Sequence, residues 1–192
     1  MVLLENYNPA VDSVIIDNFK GGLMAAEHLI HQGRKRIGLI MGTAKRYKDS
    51  FTHHRQAGYL KALRAASLPF LPQLLHHAPE YSFENGYEIA KTIASSKTRP
   101  DAIFCGAGDT VAIGLIRGLN EKGIRVPQDI SVVGFDDITL ARYMNPPLTT
   151  IHQPLFEAGI AAVGCILDHL EKNREDTQKI VLDPSLVVRS ST

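Results

Sequence analysis

The sequence predicts an α/β protein built on a doubly wound parallel sheet. Apolar runs of strand length alternate with segments of helical period along the whole chain. The strand-like runs are continuous in Val, Ile and Leu rather than alternating with polar residues, as strands covered by helices on both faces require. Gly, Pro and polar clusters punctuate the segments, and neither an internal repeat nor a low-complexity linker interrupts them.

In chain order, residues 2–5 and 13–16 (SVII) have strand character, and GGLMAAEHLIHQG carries apolar residues at helical spacing up to a stop at Gly33. RIGLIM (36–41) is the next strand, and the polar loop GTAKRYKDS leads from it to a helix over about 51–66. LPQLLHHA contains a strand, and SFENGYEIAKTIAS a helix that opens on a Ser/Glu pair. DAIFC (101–105), ISVVGF (130–135) and LTTI (148–151) are further strands. TVAIGLIRGLNEKG is a helix ending at Gly123, a short helix is expected over 138–144, and a longer one over 155–172. KIVLD and SLVVR close the chain as terminal strands.

Composition removes several function classes. The 192 residues suit one α/β domain or one and a half small ones, and 21 basic against 20 acidic side chains leave no basic footprint for nucleic acid on this chain. Two cysteines, both inside apolar segments, are too few for a disulfide framework and fit the cytoplasm. No apolar run approaches the roughly 20 residues that span a bilayer. The opening MVLLENYNPAVDS lacks an export signal, and MVLLEN reads as a buried strand with nothing before it, so the chain is expected to begin inside a larger protein.

Doubly wound sheets bind ligands at the carboxyl ends of their strands, where loops meet helix N-termini. Four such loops fall on one edge of the sheet. The first, 42–55, holds Lys45, Arg46, Lys48, Asp49, Ser50 and Arg55; the second holds Glu80 and Tyr81; the third is GAGD (106–109); the fourth holds Asp136 and Asp137. A carboxylate at a strand end can accept hydrogen bonds from ligand hydroxyls or ring N–H groups, and the other aspartate can cap the helix beginning at Ile138. Solvated loop charges are the plainer alternative for both. Arg55 also fits an ordinary helix-surface arginine, and Tyr81 either packs on the first turn of its helix or stacks on a ligand. GAGD lacks the Lys-Ser/Thr of a phosphate loop. The pairs His53-His54 and His76-His77 point apart within their elements, with no Glu or Cys at ligand spacing, so no metal is expected. Cys105 reads as a core thiol, no G-x-S-x-G elbow is present, and nothing supplies a nucleophile, base and oxyanion set. Neither catalysis nor a cofactor is expected.

Several segments in order carry a resemblance: IDNFKGGLMAAEHLIHQGRKRIGLIMG, RQAGY (55–59), PDAIFCGAGDTVAIGLIRGLNEKGIRVPQDISVVGFDD and PPLTTIHQP. Together they resemble the sensor domain of the lactose/galactose repressor (LacI/GalR) family over nearly the whole chain, and ARYMNPPLTTIHQP with SLVVRSS is most similar to the purine repressor branch. The resemblance implies a periplasmic-binding-protein type I fold of two subdomains with an effector in the cleft between them, and a homodimer whose N-terminal helix-turn-helix domain, absent from this chain, binds operator DNA. The effector would be a sugar or a purine-like metabolite. By position, Arg55 matches the arginine that reaches the effector and Asp136 the aspartate that accepts from it. Tyr81 falls near a stacking aromatic, Asp49 and Phe51 lie where members of the family vary their effector contacts, and Asp109 lies at the pocket edge. Ile113, Ile116, Tyr143 and Met144 match regions of the dimer interface.

The chain also departs from the family. FCGAGD carries one residue more than the usual pattern and lacks its Asn, the loop before Arg55 is longer, and Arg34 follows Gly33 where Gly-His is common. By the resemblance, 1–16 is a remnant of the N-terminal subdomain, 17–153 the C-terminal effector-binding subdomain, 154–178 a crossover and 179–192 the C-terminal strands. MVLLEN and the apolar face of 155–172 are then expected to be exposed, favouring self-association. A fragment of an exported sugar-binding protein and an unrelated small α/β enzyme are the alternatives.

Overall fold

A computed structural model describes residues 1–42, 51–172 and 176–192. The larger sheet has six strands in the order β4-β3-β5-β6-β7-β9. Its members are β3 (Ile37–Gly42), β4 (Leu75–Ala78), β5 (Ala102–Cys105), β6 (Ser131–Asp136), β7 (Thr149–His152) and β9 (Ser185–Val187). All pair in parallel except β9, which runs antiparallel along β7 as an edge strand. The expected parallel sheet is thus present, with one antiparallel strand added at its edge.

Side-chain alternation along the buried strands divides the core. Leu39, Phe104, Val133 and Phe135 face one way, packing on Ala25, Ala26 and Leu29 of α1 (Asn18–His31) and Tyr59 and Leu63 of α2 (Phe51–Ala65). Ile40, Ile103, Cys105 and Val132 face the other way, onto Ile89 and Ile93 of α3 (Phe83–Ser95) and Val111, Leu115 and Leu119 of α4 (Asp109–Glu121). Local signals set the helix ends: Asp17 accepts from Lys20 N at 2.8 Å, Ser82 accepts from Asn85 N at 3.3 Å, and Gly33 follows α1 with φ of 80°. The helix expected over 138–144 contracts to one 3-10 turn, Thr139–Arg142, because the chain must turn back at once into β7.

A second, three-stranded parallel sheet has the order β1-β2-β8, from β1 (Val2–Leu4), β2 (Asp12–Ile16) and β8 (Lys179–Leu182). Against it lies α5 (Leu155–Lys172), burying Ala158 and Ala162 on Val14. Its outer side leaves Phe156 77%, Ile160 60% and Leu170 77% exposed. The last residues return to the larger sheet, where Ser191 Oγ donates to Val132 O at 2.6 Å and accepts from Thr149 N at 2.8 Å. Among the described residues no helix is long and apolar enough to cross a membrane.

Candidate functional site

The strand order places the topological switch between β3 and β5, and α2 leaves from that point. Arg55 sits one turn into α2, on its buried side and 4% exposed. Its Nε donates to Asn18 Oδ1 at 2.8 Å and its Nη1 to Gly106 O at 2.9 Å. The guanidinium carbon lies 3.5 Å from the centroid of the Phe135 ring and 5.0 Å from that of Phe51, so aromatic faces supply part of the stabilisation that water would otherwise give the cation. Burial pushes the Arg55 pKa down to about 10, against the pull of Asp136 and Glu5, and the side chain stays cationic at neutral pH.

Glu5 follows β1 with φ of 55° and belongs to the same cluster. Its Oε1 accepts from Ile16 N at 2.7 Å and its Oε2 from Asn18 Nδ2 at 3.1 Å, so Asn18 bridges Glu5 and Arg55. Asp136 arrives from the end of β6 with φ of 118°. Gln153 Nε2 donates to its Oδ1 at 2.6 Å, and the Asp109 backbone N–H also bonds to its carboxylate. Burial raises the Asp136 pKa, while Arg55 and these donors pull it back. Gly108, with φ of 103°, is required here, because a Cβ on it would stand 2.6 Å from Asp136 Oδ2.

These groups surround a cleft of about 310 Å³. Arg55, Glu5, Asp136 and Gln153 supply its polar lining, with Phe51, Tyr81 and Leu155 as apolar walls and Ala107, Gly108 and Thr110 as its floor. The cleft lies at strand ends of both sheets. It offers a fixed cation, two carboxylates and an amide to the hydroxyl, carbonyl or ring N–H groups of a small ligand, and aromatic rings to its flat face. Cys105 adds no nucleophile, since it is fully buried and burial raises its thiol pKa.

Arg55, Asp136, Tyr81 and Phe51 thus come together at one cleft. Asp109 does not. Its side chain is completely buried, with Oδ1 accepting from Thr150 Oγ1 at 2.6 Å and Oδ2 from Ile138 N at 3.0 Å, so both oxygens turn into the protein and only its backbone reaches the site. That contact also corrects the expected cap: the Ile138 N–H goes to Asp109, and Asp137 pairs with Arg189 and His152. Asp49, with Lys45, Arg46, Lys48 and Ser50, lies outside the described residues. Sequence reasoning missed Glu5, Asn18 and Gln153; applying the strand-end rule to β1, β2 and β7 would have found them. Of the residues expected at a dimer interface, Ile113, Ile116 and Met144 line a separate groove of about 980 Å³ between α3 and α4, while Tyr143 stands beside it, 74% exposed.

Residues 26–192 match the model of the periplasmic-binding-protein-like domain. A LacI family transcriptional regulator from Enterococcus faecium, solved with bound ribose, is 30% identical, with a TM-score of 0.86 and a match covering 100% of this chain and 69% of that one. The chain belongs to the LacI family. Another solved structure, the transcriptional regulator CelR in complex with cellobiose, gives a TM-score of 0.90 at 29% identity, covering 100% of this chain and 58% of that one. The HTH-type transcriptional repressor PurR of Yersinia pestis (strain Pestoides F) is 42% identical over 180 residues, 94% of this chain and 51% of that protein. The chain therefore spans about half the length of the curated relatives it matches.

Proposed function

We propose that this LacI-family chain is the effector-binding and dimerisation portion of a cytoplasmic transcriptional repressor, and that it is not an enzyme. The observation that carries the reading is the cleft in which Arg55 from α2 and Asp136 from the end of β6 converge, flanked by Phe51 and Tyr81. A fixed cation and a carboxylate held on rigid elements discriminate ligands by hydrogen-bond pattern, and the aromatic walls favour a flat or ring-shaped metabolite, either a sugar or a purine. Cleft closure around that effector would alter the geometry of a helix-turn-helix domain and so its affinity for operator DNA, a coupling between two sites. Relatives described as repressors and as sugar-bound regulators support this reading over an exported binding protein.

Calorimetry with ribose, cellobiose and hypoxanthine identifies the ligand class. In the intact regulator, Arg55→Ala and Asp136→Ala abolish the effector response and leave operator binding unchanged; a normal response from both variants would refute the site. Dimerisation is assigned to the groove between α3 and α4. Ile113→Glu should convert a sedimenting dimer to monomer, and an unchanged sedimentation coefficient would exclude that face.

A further inference from the structure

From the geometry of the Asp136–Asp137–Ile138 segment we infer that Arg189 is a positioning residue for effector recognition: it acts through Asp137 to aim the Asp136 carboxylate into the cleft without lining the cleft itself. The inference rests on the cleft being the effector site.

Asp136 and Asp137 are consecutive non-glycine residues with φ of 118° and 54°. L side chains rarely adopt this backbone, and it persists where surrounding contacts over-determine it. Here three anchors do so. On one side Ile138 N is held by Asp109 Oδ2 at 3.0 Å, and Asp109 is itself tied to Thr150 on β7. On the cleft side Gln153 fixes the Asp136 carboxylate. Between them Asp137 is 12% exposed at its side chain and meets Arg189 Nη2 at 2.6 Å through Oδ1 and His152 Nδ1 at 3.1 Å through Oδ2.

Arg189 cannot follow a moving Asp137, because its other bonds fix it to the sheet. Its Nη1 donates to Leu148 O at 2.7 Å and its backbone N to Thr149 Oγ1 at 2.9 Å, while the next residues are bonded to Pro147 and Val132. The pairing of His152 with Asp137, and of its neighbour Gln153 with Asp136, makes a two-rung clamp between β7 and the aspartate pair. Removing the Arg189 contact leaves the Asp137 side chain with His152 and frees the backbone to relax from the left-handed region, swinging the Asp136 carboxylate away from Arg55.

The test compares Arg189→Met, Arg189→Lys and Ser191→Ala. Ser191→Ala removes bonds from the same terminal segment without touching Asp137, and so reports what a purely structural loss does. With whichever of ribose, cellobiose or hypoxanthine the wild-type chain binds, Arg189→Met weakens affinity at least tenfold, Arg189→Lys recovers part of it, and Ser191→Ala binds within twofold of wild type despite a lower melting temperature. Binding by Arg189→Met within twofold of wild type, when Asp136→Asn has lost binding, overturns the proposal. Retained binding by Asp136→Asn would instead overturn the reading of the cleft. A readout without ligand is the carboxyl-carbon NMR titration of Asp136: it moves toward an ordinary aspartate in Arg189→Met and not in Ser191→Ala. An unmoved titration in Arg189→Met also overturns the proposal.

Discussion

In the proposed reading of the cleft, Arg55 joins stability to recognition in a single residue. Its side chain satisfies Asn18 and Gly106 inside the protein, so Arg55→Met strips buried acceptors of their donor and should cost about 1–3 kcal/mol of stability. Urea denaturation measures that cost, and calorimetry the loss of effector binding that accompanies it. Asp109 makes a different prediction. Burial pushes its pKa up to about 7, so between roughly pH 4 and pH 7 the folded state holds a proton that the unfolded chain has released. Stability from this group is therefore highest below that window and falls as pH rises through it. The stability difference between wild type and Asp109→Asn should move in the variant's favour from about pH 4 to about pH 7, and a pH-independent difference would contradict the assignment.

Elements position these residues by close packing. A Cβ on Gly58 would collide with the Phe19 carbonyl and one on Gly22 with the Arg55 carbonyl, so α1 and α2 cross backbone to backbone at the level of the site. Gly58→Val should cost about 1–3 kcal/mol through overpacking and displace Arg55, seen as a lower urea midpoint together with weakened effector binding. The helices themselves were legible in the sequence: 155–172 matches α5 at both ends, and the Ser/Glu opening of SFENGYEIAKTIAS marks α3. Short and irregular elements were less so. The turn at Thr139–Arg142 has too few residues for a periodicity, and nothing local in KIVLD and SLVVR reveals that the first joins β2 and the second returns to β7.

At the scale of the whole molecule, the two sheets are unequal. The six-stranded sheet is covered on both faces, whereas the three-stranded one carries α5, whose Phe156, Ile160 and Leu170 face outward. Such a surface favours association. Replacing Phe156, Ile160 and Leu170 with Ser should abolish concentration-dependent association beyond the dimer in light scattering while the dimer and effector binding persist; higher association that survives the triple change would assign it to another face.

The sequence by itself determined the alternation of elements and the strand ends where a ligand would sit, which follow from periodicity and punctuation acting over a few residues. Its resemblance to a family added Arg55, Tyr81, Phe51 and Asp136, the residues that the cleft collects. Tertiary structure alone decided the partners of Asp109, Asp137 and Arg189. Arg189 meets Asp137 across 52 positions and Arg55 meets Asn18 across 37, so those contacts exist only once strand order and register bring distant segments together. Whether a buried carboxylate faces the cleft or turns inward depends on which donors the register puts beside it, and at Asp109 those donors are Thr150 and Ile138.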